Sequence, residues 1–170
     1  HQLGWHYIPG KALAPEHSNQ ERDYLRDVVL VKRLTQAIER INPWISEENL
    51  RKVVRMVTHP QCAGLMEYNH GFYQTMVGYL SVEQDIGKGK KGQTVKLIDF
   101  DDVSKNEFIC TNQFKVEGAK QTIIPDIVCF VNGLPLAVIE CKSPFISTPV
   151  ACGIDQLRRY ANQRHPEDFE

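Results

Sequence analysis

From Asn19 to Ile41 apolar residues recur at helical spacing, Leu25, Val28, Val29, Leu34, Ile38 and Ile41, until Asn42-Pro43 stops the pattern, which predicts an amphipathic helix. Ser46 followed by Glu47-Glu48 supplies a capping side chain and two acids, and predicts a second helix with Leu50, Val53, Val54 and Val57 as its buried stripe, ending at His59-Pro60. A third is predicted from Ala63 or Glu67 through Val77, carrying Asn69, Phe72 and Tyr73 and interrupted by Gly71 and Gly78. After Gly78 the period changes. Tyr79 to Glu83, Thr94 to Phe100 and Glu107 to Phe114 alternate or are β-branched and read as strands, separated by polar turns at Gly87, Gly89, Gly92 and Asp101-Asp102. His1 to Pro15 is too broken for a helix and offers a short strand around Trp5-Tyr7-Ile8. Thr148 as N-cap and Pro149 in the first turn predict a closing helix to about Gln163. The expectation is an α/β chain with a mixed central β-sheet flanked by helices.

Composition changes this picture little. At 170 residues and 42% hydrophobic the chain suits one globular domain, residues 1–170. Twenty basic against twenty-one acidic residues give no bulk signal for a polyanion, so a nucleic-acid partner has to be argued from local patches. Five scattered cysteines without C-x-x-C spacing read as reduced cytoplasmic thiols, and His59 with Cys62 reads as a helix-end turn rather than half a metal site. No apolar run approaches the roughly 20 residues that span a membrane. Gly87 to Gly92 reads as a solvated basic hairpin tip, with phosphate contact the lesser alternative. Trp5, Trp44, Phe72 and Tyr73 read as core or staple residues. The abrupt start on His1 suggests a fragment of a longer protein.

The chemistry gathers in residues 125–142, two apolar strands joined at Asn132-Gly133, with Asp126 entering the first and Glu140-Cys141-Lys142 leaving the second. Charges at the ends of such strands are costly to bury unless something satisfies them. Glu140 and Lys142, two apart on a strand, share a face. A regular two-residue turn puts Asp126 opposite Ile139 and the two acids on opposite faces. A three-residue connection, Asn132 to Leu134, or a bulge near Asp126, puts Asp126 opposite Glu140. With that facing, the two carboxylates suit one hard cation such as Mg²⁺, with the Cys141 carbonyl as a further ligand and Lys142 placed to orient water or stabilise charge on phosphorus. The bland alternative is a turn aspartate and two strand-end charges.

Pro-Asp, an apolar run and Glu-x-Lys resemble the PD-(D/E)xK phosphodiesterase core. Gln156 and Tyr160, four apart on the closing helix, resemble the extra Q-x-x-x-Y motif of its RecB-like branch. Asn132 to Leu136 running into Ile139 to Pro144, the stretch Val95 to Phe100, and Asn106-Glu107-Phe108 with Asn112-Gln113-Phe114 resemble the amino-terminal nuclease region of type I restriction-modification R subunits. Asn69 to Tyr73 and Asn42-Pro43 fit the same region.

The resemblance implies a restriction-endonuclease-like fold and a nuclease that cuts double-stranded DNA remote from its recognition site after ATP-driven translocation, in complex with modification and specificity subunits. It implies Asp126, Glu140 and Lys142 as catalytic residues, Mg²⁺ (or Mn²⁺) held by Asp126, Glu140 and the Cys141 carbonyl, and Gln156 and Tyr160 as support. Arg158, Arg159 and Arg164 are candidates for DNA contact. ATP would act through motor domains, since no G-x-x-x-x-G-K-[ST] loop occurs in these residues, and the isolated stretch is expected to cleave weakly or not at all. Three features depart from the family pattern: Cys141 stands where Leu is common, Gly153 lies inside the predicted helix, and Glu16 and Glu21 are poor substitutes for a further acid. A stand-alone repair or junction nuclease of the same superfamily, and a non-catalytic DNA-docking or assembly module, stay open.

Overall fold

The computed structural model describes residues 4–18, 21–59, 65–87, 89–118 and 120–161. Four strands form its central sheet in the order β1 (His6–Tyr7), β4 (Phe108–Asn112), β7 (Ile127–Val131), β8 (Leu134–Ile139). β1 runs parallel to β4, and the other pairs are antiparallel. A hairpin of β2 (Ser81–Asp85) and β3 (Lys90–Thr94) and a small pair, β5 (Val116–Glu117) with β6 (Thr122–Ile123), lie outside that sheet. Helices α1 (Val31–Ile41), α2 (Glu47–Thr58), α3 (Leu65–Gln74) and α4 (Pro149–Ala161) complete the chain, and α3 runs on into a π-helical turn to Tyr79. This is the mixed sheet flanked by helices expected of a restriction-endonuclease-like fold. α1 and α2 pack Leu34, Ile38, Leu50, Val53 and Val57 against Leu80, Val82, Val95, Leu97 and Leu134. A second cluster, Leu13, Leu30, Ile109, Phe114, Val128 and Phe130, fills one face of the sheet.

Two predicted elements are corrected. The helix expected from Asn19 begins only at Val31, and residues 21–30 are irregular, Asn19 itself lying outside the described residues. Buried Arg22 explains the difference. Its guanidinium donates to the carbonyls of Leu13, Leu25, Asp27 and Lys115 while stacking 4.1 Å over the Phe114 ring, so two carbonyls of this segment are satisfied without helical partners. The strand expected over Thr94 to Phe100 stops at Thr94. Beyond it Val95 and Leu97 are fully buried, and asparagine amides stand in for a neighbouring strand. Asn42 donates to the Lys96 carbonyl and accepts from the Lys96 amide, and Asn132 donates to the Leu97 carbonyl. Lys90 and Lys91 are exposed beside the tip of the β2–β3 hairpin, as its basic composition implies.

The β7–β8 connection sets the geometry that follows. Asn132 and Gly133 have φ of 53° and 80°, so the turn has two residues, with Val131 opposite Leu134. A Cβ on Gly133 would lie 2.5 Å from the Leu30 carbonyl oxygen, which leaves room for nothing but glycine. The register then shifts. Phe130 faces Pro135 but Cys129 faces Ala137, so Leu136 is an extra, bulged residue, and the ladder runs on to Ile127 opposite Ile139. The facing expected from a three-residue connection arises instead by the alternative, a bulge, placed mid-strand rather than beside Asp126.

Candidate active site

Continuing that ladder by one position sets Asp126 opposite Glu140 on the face of the sheet that carries Val128 and Phe130. The Asp126 carboxylate is held at both oxygens: Oδ2 accepts from the Cys141 backbone N–H at 2.8 Å, and Oδ1 from Gln113 Nε2 at 3.4 Å. The Glu140 side chain is only 2% exposed. Its Oε2 accepts from Gln156 Nε2 at 2.6 Å and lies 3.5 Å from Lys142 Nζ, while Oε1 is buried with no hydrogen-bond partner.

α4 closes the cluster as its i, i+4 spacing predicts. The Gln156 amide accepts from Lys142 Nζ through Oε1 and donates through Nε2 both to Glu140 and, at 2.6 Å, to Tyr160 Oη. Burial, reinforced by the nearby Glu140 side chain and the negative charge of Glu140 and Asp126, pushes the Tyr160 hydroxyl above the ordinary phenol range, although the hydrogen bond with Gln156 opposes this. It is therefore protonated at neutral pH. Gly153 neither delays the helix, which starts at Pro149, nor is demanded by space, since an added Cβ would make only an ordinary 3.8 Å contact with Lys142 Cγ. Glu140, Lys142 and Pro149 with one face of α4 line an open cleft of about 310 Å³.

Two carboxylates and one ammonium leave the cluster one negative charge in excess, and Glu140 Oε1 is a buried acceptor with no protein donor. Among the described residues no group of three or more His, Cys, Asp or Glu side chains is placed to hold a metal ion. Asp126 and Glu140 supply oxygen donors of the kind that a hard divalent cation takes. Glu21 is engaged elsewhere, by Arg33 at 2.6 Å. Arg158 and Arg159 are exposed on α4, with Arg158 3.9 Å from Asp155. Arg164 and Cys62 fall outside the described residues. His59 caps α2, as a helix-end turn should.

Gln113 is the neighbour that strand patterning did not single out. Its sequence signals are a polar pair, Asn112-Gln113, near the end of a predicted strand, and a place in the Asn112-Gln113-Phe114 block that carries the family resemblance.

A family model described as the type I restriction enzyme R protein N terminus matches residues 1–169. The chain belongs to this family. Among its relatives are a putative type I restriction enzyme MjaIXP endonuclease subunit of Methanocaldococcus jannaschii, 39% identical over 145 residues, and the type I restriction enzyme HindI endonuclease subunit of Haemophilus influenzae, 36% identical over 145 residues. Each match covers 84% of this chain and 14% of the relative. A putative MjaVIIIP endonuclease subunit of M. jannaschii is 28% identical over 171 residues, covering 95% of the chain and 15% of the relative. The chain therefore spans about one-seventh of the subunits it matches. Among the described residues no helix is long and apolar enough to cross a membrane.

Proposed function

We propose that the chain is the Mg²⁺-dependent endonuclease part of a type I restriction R subunit, which hydrolyses phosphodiester bonds of double-stranded DNA remote from the recognition sequence. Cutting follows ATP-driven translocation by motor domains of the subunit, in a cytoplasmic complex with modification and specificity subunits. The observation that carries this reading is the facing of Asp126 and Glu140 beside Lys142, with one Glu140 oxygen buried and unpartnered.

Asp126, Glu140 and the Cys141 carbonyl would hold the cation. When bound, Mg²⁺, or Mn²⁺ in its place, lowers the pKa of water and offsets negative charge on the phosphate. The protein's own contribution is order. Gln156 fixes the spacing of Lys142 and Glu140, so the ammonium stays beside the carboxylates, where it orients water or stabilises the extra charge on a pentavalent phosphorus. Tyr160 keeps its proton and anchors the Gln156 amide from the far side. Arg158 and Arg159, exposed on α4, are candidates for contact with DNA phosphates, contacts that weaken as salt rises.

Alanine substitution of Asp126, Glu140 or Lys142 in the complete complex tests this. DNA cleavage is expected to fall by about 10³-fold or more while ATP hydrolysis and translocation continue. Retained cleavage would defeat the assignment. Calorimetric titration of Mn²⁺ against wild type and Asp126→Ala separates it from a docking module, which should show no difference in heat.

A further inference from the structure

Resting on that reading of the site, we propose that Gln113 is a positioning residue for Asp126, holding its carboxylate in the orientation that receives the cation. Gln113 lies just past the end of β4, and its backbone N–H donates to the Asp126 carbonyl at 3.0 Å. Gln113, Asp126 and Glu140 thus occupy successive positions of one row across β4, β7 and β8. Gln113 has φ of 50°, and it and Asn132 are the non-glycine residues with positive φ among those described. For Asn132 the turn and its buried amide account for that backbone. Gln113 is exposed, so packing does not account for it.

The N-terminal segment fixes this conformation from outside. A Cβ on Gly10 would lie 2.2 Å from the Asn112 carbonyl oxygen and 2.7 Å from that of Gln113, and Asn112 Oδ1 accepts from Tyr7 Oη at 2.8 Å. A strand end clamped in the left-handed region favours glycine, asparagine or aspartate. A longer amide there points to use of the side chain, and its Nε2 reaches Asp126 Oδ1 while the Cys141 N–H holds Oδ2. A carboxylate tethered at both oxygens has less freedom left to lose when it takes up a ligand. The residue also borders an open cleft of about 690 Å³ lined by Tyr7, Lys11 and Lys115.

The test compares Gln113→Gly, Gln113→Leu and Asp126→Ala in the complete R subunit, reading Mn²⁺ affinity by calorimetry, thermal stability, and the Mg²⁺ dependence of cleavage in the complex. Glycine suits the backbone and removes the amide, so Gln113→Gly should melt no lower than wild type. Both Gln113 variants should bind Mn²⁺ about three- to tenfold more weakly, the range for one lost hydrogen bond, with cleavage at saturating Mg²⁺ within about twofold of wild type. Unchanged affinity in both variants overturns the proposal. So does weakened affinity in Gln113→Leu alone, which would make the backbone rather than the amide responsible. An Asp126→Ala protein that still binds Mn²⁺ like wild type takes down the metal site itself, and this role with it.

Discussion

Asn132 ties the β7–β8 turn to the segments at Leu97 and at Asn106-Glu107. Its side chain accepts from the Glu107 backbone N–H at 2.8 Å and donates to the Leu97 carbonyl and to Asn106 Oδ1, all while fully buried in a left-handed turn. Asn132→Ala strands a buried N–H and a buried carbonyl, and should cost about 3 kcal/mol in chemical denaturation; a loss below about 1 kcal/mol would show that water replaces the amide. The Asn-Gly pair was legible as a turn because both residues tolerate positive φ. The reach of the Asn132 side chain was not, since its partners lie 25 to 35 residues away on segments whose positions the fold alone determines. The same holds at the site. Asp126, Glu140 and Lys142 are local in pattern, and Gln156 and Tyr160 share a helix face by spacing and join the site through the resemblance their motif carries, whereas Gln113 meets Asp126 only because β4 pairs with β7.

For the β7–β8 hairpin, counting residues between Asp126 and Glu140 shows that one must be spare, but not where. The turn cannot take it: Asn132 is tied on three sides and Gly133 is pressed against Leu30. Leu136, 40% exposed on the sheet's edge strand, can bulge without breaking a ladder on its far side. Deleting Leu136 should therefore leave a regular hairpin with Asp126 still opposite Glu140, and Mn²⁺ affinity within about tenfold of wild type. Inserting one residue after Val138 should move Glu140 to the other face and abolish site-dependent Mn²⁺ heat. Equal damage from both changes would refute the register account. Long periodic stretches such as α2 were legible for the ordinary reason that their stripe is buried. The missed portion before α1 carries helical spacing too, but Arg22 takes up its Leu25 and Asp27 carbonyls while also tying the segment to the Lys115 carbonyl, 93 residues away.

Across the molecule, the hairpin is anchored at one end and chemically equipped at the other. Leu134 and Gly133 are packed against the α1 end of the core, while Asp126 and Glu140 lie about 16 Å along the strands, at five residues of about 3.3 Å each, outside both apolar clusters. Loss of a site carboxylate thus removes no core contact. In genetic terms, the proposed function makes such alleles interfere rather than merely fail: an Asp126→Ala subunit should fold, compete for the proposed modification and specificity partners, and lower restriction of incoming DNA when expressed beside wild type. The Asn132→Ala allele, lost to unfolding, should not interfere. Restriction efficiency measured against increasing doses of each allele reads the difference, and equal interference by both would show that assembly does not require this fold.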